Sequence, residues 1–175
     1  MASVRKLDPE RRYDFDLKIQ NAFLNSDFFR SSKHLALYFP LPEEVSTSVI
    51  FERCILLGKK IAFPKVCLDS GKLDFYWVGS LKDLSKTRWG VKEPKASSAK
   101  LSTPHELDLI VVPGLAFDEK KYRLGRGKGF YDRTLEHFTG YKVSLAYSIQ
   151  IVSEVPREAW DINVDSIISE NECIS

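Results

Sequence analysis

The sequence predicts an α/β fold: a single three-layer α/β/α domain spanning residues 1–175, with a mainly parallel sheet. Three observations carry that prediction. Apolar runs of strand length alternate with segments of helical spacing. The runs are continuous rather than alternating in polarity, as expected of strands buried on both faces. A chain of 175 residues with 43% hydrophobic content can also bury one continuous core without metal or disulfide staples.

The first element expected is an amphipathic helix in "LDPERRYDFDLKIQNAFLNS", with Asp8 as N-cap, Pro9 at the first helical position, and Tyr13, Leu17 and Leu24 repeating along it. "HLALYF" (34–39) and "KIAFPKV" (60–66) read as strands, joined by a helix in "STSVIFERCILLG" that has hydroxyl caps and stops at Gly58. "KLDFYWVG" (72–79) is another strand. Residues 80–104 are polar, aperiodic and broken by Gly90, Pro94 and Pro104, which predicts a long surface excursion. "ELDLIVVPG" (106–114) is the strongest buried-strand signal, followed by a short helix in "YDRTLEHFTG" closed by Gly140, then strands in "YKVSLAY" and "VDSIIS".

Composition excludes several classes. Twenty-six basic against 24 acidic residues leave a net charge of +2, too little for bulk attraction to nucleic acid or a membrane surface. Cys54, Cys67 and Cys173 are odd in number and lack metal-ligand spacing, so neither a disulfide framework nor a zinc site is expected. No apolar run reaches membrane-spanning length, and "MASVRKLDPERR" has no apolar core for a secretory signal. A soluble, cytoplasmic, monomeric protein without nucleic-acid or membrane partners is expected.

Chemistry concentrates in "YRLGRGKGFYDRTL" (122–135), where Gly125, Gly127 and Gly129 alternate with Arg126 and Lys128. The pattern is neither GxxxxGK[ST] nor GxGxxG. Its context favours phosphate over a plain basic surface loop: glycine-exposed amides, interleaved cations, a helix start, and a position after a strand end, where open α/β sheets bind ligands. Asp132 could hold magnesium or serve only as a first-turn helix carboxylate, and Asp161 could do the same or be a turn residue. Glu43 and Glu44 sit past the strand "HLALYF" and read, from residue type alone, as solvated loop charge. Phe75, Tyr76, Trp77, Trp89 and Phe130 could wall a flat heterocycle or pack in cores. His34, His105 and His137 share no ligand spacing and read as structural.

The stretch "LDLIVVPGLAFDEKKYRLGRGKGFYDRTL" resembles the signature of the 5-formyltetrahydrofolate cyclo-ligase family, in which an apolar strand and PGxxFD lead into RLGxGKGYYD. The resemblance extends through "ALYFPLPEEVST", "KIAFPKV", "TRWGVKEP", "VSLAYSIQ" and "WDINVD". It implies ATP- and Mg2+-dependent closure of 5-formyltetrahydrofolate to 5,10-methenyltetrahydrofolate, with release of ADP and phosphate. The formyl oxygen would attack the γ-phosphate, and the neighbouring amine would then close the ring and expel phosphate. Such a transfer needs positioning and charge neutralisation more than a protein nucleophile.

By the same resemblance, Arg123, Leu124, Gly125, Arg126, Gly127, Lys128, Gly129, Phe130 and Tyr131 form the nucleotide loop, with Lys128 and Arg126 the catalytic cations. Asp132 and Asp161 hold magnesium. Glu44 hydrogen-bonds the pterin, and Phe39, Phe75, Trp89 and Phe130 border the folate. Two features depart from the family pattern. Phe130 stands where the family usually has Tyr, and the chain begins near the end of the family's N-terminal helix, whose Lys and Leu-Arg element contacts ATP. The alternative implied is a folate- or nucleotide-binding relative without turnover.

Overall fold

The computed structural model describes residues 4–87, 90–95 and 101–175. Two helices, α1 (Pro9–Leu24) and α2 (Asp27–Ser31), lead into β1 (His34–Ala36), α3 (Ser48–Leu56), β2 (Lys60–Cys67) and β3 (Lys72–Trp77). Three short strands follow: β4 (Leu84–Lys86), β5 (Lys92–Pro94) and β6 (Leu101–Ser102). The second half carries β7 (Leu109–Val111), β8 (Ala116–Asp118), β9 (Arg123–Leu124), α4 (Phe130–Leu135), β10 (Tyr141–Leu145), β11 (Ile151–Val152), β12 (Ser166–Ile168) and β13 (Cys173–Ile174).

Eight strands make the main sheet, in the order β13-β12-β10-β7-β1-β2-β3-β6. From β12 to β2 every pairing is parallel, and the edge pairings β12 with β13, β2 with β3 and β3 with β6 are antiparallel. The α/β class and the mainly parallel sheet therefore stand as the sequence predicts. Ranked along the chain, the parallel strands run 2-1-3-4-5, which puts the topological switch point between β1 and β7.

Side chains from successive residues of β7 go to opposite faces, as the period of a strand requires. Leu109 and Val111 join one core with Ile19, Phe23, Ile50 and Cys54 from α1 and α3. Ile110 and Val112 join the other with Leu135, Phe138 and Phe117. Burying such a side chain contributes roughly 1.5–3 kcal/mol, so β7, buried on both faces, is worth more per residue than any edge strand.

The α1 start is as expected: Pro9 is the first residue and the Asp8 carboxylate accepts the amides of Glu10 and Arg11 at 3.1 and 3.2 Å. The expected hydroxyl cap of α3 comes from Ser46, whose Oγ accepts the Ser48 amide at 3.3 Å, and not from the N-cap residue Thr47. Thr47 donates its hydroxyl to the Tyr38 carbonyl at 2.9 Å, and the Val49 amide is capped by Gln20 Oε1 of α1 at 3.0 Å. Gly58, at φ +67°, closes α3 as predicted.

Residues 80–104 are not simply an excursion, because β4 pairs with β5 and β6 extends the sheet edge. Polarity concealed them, since edge strands and hairpins do not need continuous apolar runs. The region between β7 and α4 is also structured: β8 and β9 form a hairpin and β11 adds to it. Asp118, 1% exposed, fastens this hairpin by accepting the amides of Tyr122 and Val155, both at 3.1 Å.

Candidate active site at the sheet switch point

Two connections leave the carboxyl ends of β1 and β7, the strands that flank the switch point. The first, residues 37–47, contains Glu43 and Glu44; the second, residues 112–129, contains the β8–β9 hairpin and the glycine loop. They meet through Arg126, whose guanidinium lies 3.5 Å from Glu43 Oε2 and 4.0 Å from Glu44 Oε1. Strand order brings these connections together although the residues are more than eighty positions apart in sequence.

The glycine loop is built for exposure. Gly125, Arg126, Gly127 and Lys128 all face solvent. Gly127 at φ +78° and Gly129 at φ +61° adopt left-handed backbone that other residues reach only with strain. A Cβ at Gly129 would stand 2.8 Å from Arg133 Nη1, so the Arg133 guanidinium would have to shift to admit it. Arg133 ties the loop down by donating to the carbonyls of Lys128 at 2.7 Å and Gly71 at 2.6 Å. The Lys128 ammonium has no hydrogen-bond or ion-pair partner among the described residues and is available to an anion.

Arg123 behaves differently from its neighbours. Its side chain is only 4% exposed and donates to Asp132 Oδ1 at 2.9 Å and to the Ile162 carbonyl at 2.6 Å. Asp132 Oδ1 also accepts the Ile162 amide at 3.2 Å, which binds the start of α4 to the segment that follows Asp161. Asp161 accepts the Glu158 amide at 2.7 Å through Oδ2. Asp132 thus reaches the residue that follows Asp161, and each of the two carboxylates has one oxygen engaged by the chain. Magnesium uses oxygen ligands and commonly takes only one or two carboxylates, completing its shell with water and phosphate, so the free oxygens here are donors of the kind it takes, while no group of three or more His, Cys, Asp or Glu able to hold a metal occurs among the described residues.

The solvated reading of the two acids is overturned. Glu44 is buried at 8% exposure and accepts the Leu41 amide at 2.8 Å. Burial pushes its carboxyl up, against the opposing pull of the Leu41 amide and Arg126. Glu43 moves the other way: Arg5 donates to its Oε1 at 2.8 Å from Nε, with a second contact from Nη2, and this hydrogen bonding holds the carboxyl below the ordinary range. Neighbouring carboxyls whose pKa values are driven apart are characteristic of working sites. Arg5 was missed as a site residue; no local motif marks it, since it arrives only because the turn Val4–Lys6 packs beneath this connection.

The aromatic residues divide. Phe39 is partly buried against the α1/α3 core with the Lys92 ammonium 4.5 Å over its ring. Phe75 is 1% exposed inside the opposite core, where Phe130 packs beside it under the Arg133 guanidinium. Tyr131 is partly buried, and burial raises its hydroxyl pKa. Trp89 lies outside the described residues. His34 is structural, bonded through Nδ1 to the Glu106 carbonyl at 2.7 Å. Two open surface cavities of about 390 and 440 Å³ lie elsewhere, around Phe29 and Arg53 and around Tyr141 and Asp165. Neither includes the glycine loop.

A model of the 5-formyltetrahydrofolate cyclo-ligase family matches residues 1–170. The chain is 31% identical over 180 residues to the 5-formyltetrahydrofolate cyclo-ligase of Mus musculus, covering 96% of this chain and 88% of that protein. It is 34% identical over 144 residues to the enzyme of the same name from Haemophilus influenzae, covering 79% and 76%. In structure it is similar to the 5,10-methenyltetrahydrofolate synthetase of Aquifex aeolicus, with a TM-score of 0.82, 35% identity, and 98% and 90% of the two chains covered.

Proposed function

The chain belongs to the 5-formyltetrahydrofolate cyclo-ligase family, and we propose that its switch-point mouth joins an ATP phosphate cradle to a folate subsite. It is an enzyme, converting 5-formyltetrahydrofolate to 5,10-methenyltetrahydrofolate. The observation that carries the proposal about the site is Arg126, exposed at the mouth and shared between the glycine loop and the Glu43–Glu44 pair.

In this reading Lys128 and Arg126 receive the phosphates, with amides of the Gly125–Gly129 loop, and hold the γ-phosphate in line with the formyl oxygen. Magnesium, when bound, would neutralise phosphate charge, and Asp132 and Asp161 would hold it. Arg123, locked between Asp132 and the Ile162 carbonyl, supports the carboxylate rather than meeting phosphate directly. Glu44, buried and raised, presents a carboxyl to the donor-rich edge of the pterin, with Phe39 and Phe130 as walls. Ring closure follows from attack by the neighbouring folate nitrogen, with departure of phosphate and release of ADP, and requires no protein nucleophile.

The test is a purified-protein assay with 5-formyltetrahydrofolate, varied ATP and Mg2+, read as absorbance of the methenyl product alongside phosphate release. One phosphate per methenyl group is the expected result. Ring closure without ATP consumption would overturn the nucleotide reading of the loop.

A further inference from the structure

Three polar residues of α1 lie at intervals of one helical turn, Arg12, Asp16 and Gln20, and therefore share one face. That face does not look to solvent. Arg12 Nη2 donates to the Glu44 carbonyl at 3.1 Å, Asp16 Oδ1 accepts the Ser46 amide at 3.0 Å, and Gln20 Oε1 accepts the Val49 amide at 3.0 Å. The Arg12 and Asp16 rungs thus take main-chain groups of the connection between β1 and α3, and the Gln20 rung takes one from the first turn of α3. The rungs are themselves linked. Tyr147, fully buried at the end of β10, accepts from Arg12 Nε at 3.0 Å and donates to Asp16 Oδ1 at 2.7 Å, and Gln20 Nε2 donates to the Asp16 carbonyl at 3.2 Å. From the sheet side, Tyr38 donates to the Val45 carbonyl at 2.9 Å.

A connection leaving a strand end would ordinarily be mobile and hydrated. Here backbone groups of Glu44, Ser46 and Val49 are held by side chains that reach in from α1. The residue so fixed at the near end is Glu44, and its carboxyl points toward Arg126 of the glycine loop.

We propose that the Arg12–Asp16–Gln20 face of α1, locked by the Tyr147 hydroxyl, is a positioning device that sets Glu44 for the folate, which rests on the reading of Glu44 as the folate-directed carboxyl. These are positioning residues, acting through Glu44 without touching substrate. The geometry requires their loss to be felt at the folate side of the reaction and not at the nucleotide side.

The experiment compares Arg12→Ala, Tyr147→Phe and Glu44→Gln singly, with each of the first two also combined with Glu44→Gln, varying 5-formyltetrahydrofolate and ATP separately. Glu44→Gln and Arg12→Ala should each raise the KM for 5-formyltetrahydrofolate, Arg12→Ala by about tenfold, with the KM for ATP changed less than about twofold. In the Glu44→Gln background, Arg12→Ala should add little, because residues acting through one group are not additive. Tyr147→Phe removes a single oxygen and should shift the same parameter in the same direction if Arg12→Ala does not yield folded protein. Equal losses for folate and ATP, or a full additional loss in the Glu44→Gln background, would overturn the proposal. An unchanged folate KM in Glu44→Gln alone would instead overturn the reading of Glu44, and with it any role of α1 toward that residue.

Discussion

At the scale of single residues, the cations of one loop divide by burial. Lys128 is exposed and unpartnered among the described residues, so its replacement breaks no hydrogen bond or ion pair among them. Lys128→Ala should lower kcat by about 100-fold with folate affinity kept, as measured by steady-state kinetics and folate titration. Arg123 is the opposite case. Asp132→Ala would leave its buried guanidinium without its carboxylate, and should cost about 3–5 kcal/mol in chemical denaturation, with Asp132→Asn costing less. Glu44 gives a pH-dependent test. Its carboxyl is raised from the ordinary 4.5, so its favourable contribution to folding is present below that value and is lost as pH rises through the raised one. Glu44→Gln should therefore melt higher than the parent at neutral pH, with the difference closing as pH falls through that window. A lower Tm at neutral pH would show that Glu44 is stabilised by its partners more than burial opposes it.

At the scale of elements, the short helix α4 ends at Leu135, five residues before the Gly140 that "YDRTLEHFTG" predicts as its stop. Gly140 does not adopt left-handed backbone; a Cβ there would stand 2.7 Å from the Asp108 carbonyl oxygen and 2.3 Å from Phe138 Cζ. Its small size lets the α4–β10 connection cross the entry to β7, where Tyr141 donates its amide to the same carbonyl at 2.8 Å. Gly140→Ala should destabilise by about 1–3 kcal/mol by overpacking, measured as a shift in denaturation midpoint. Asp118 teaches a similar lesson. It lies in the PGxxFD part of the family-like stretch, yet it is 1% exposed and its oxygens go to the amides of Tyr122 and Val155. A motif residue can be required for a hairpin rather than for chemistry.

At the scale of the whole molecule, the central strands serve both cores, β7 with its apolar run among them. Leu109 and Val111 pack against α1 and α3, and Ile110 and Val112 pack toward α4 and the small sheet. Leu109→Ala and Ile110→Ala should each cost about 2–5 kcal/mol. Unfolding should remain a single transition in both, followed by fluorescence and far-UV circular dichroism together, because neither core can melt while β7 stays in place. Separate midpoints for the two probes would show that the faces are independent units.

The class of the fold, most of its helices and parallel strands, and the glycine loop were legible in the sequence, because each rests on local pattern: apolar period, caps, and glycines among cations. Polar short strands such as β4, β5 and β6 were not, since pairing at an edge leaves little periodic trace. The site was half legible. The loop with Arg126 and Lys128 declares its chemistry by residue type, whereas Glu43 and Glu44 look like ordinary surface acids until strand order brings Arg126 to them. Arg5 and the Arg12–Asp16–Gln20 face carry no motif at all. Sequence by itself determined which groups could meet a phosphate; tertiary structure alone decided which carboxyl is buried, which arginine is already spent on a partner, and which helix holds the opposite wall. The physical reason is that hydrogen-bonding capacity belongs to a side chain, while burial and pairing belong to its neighbours.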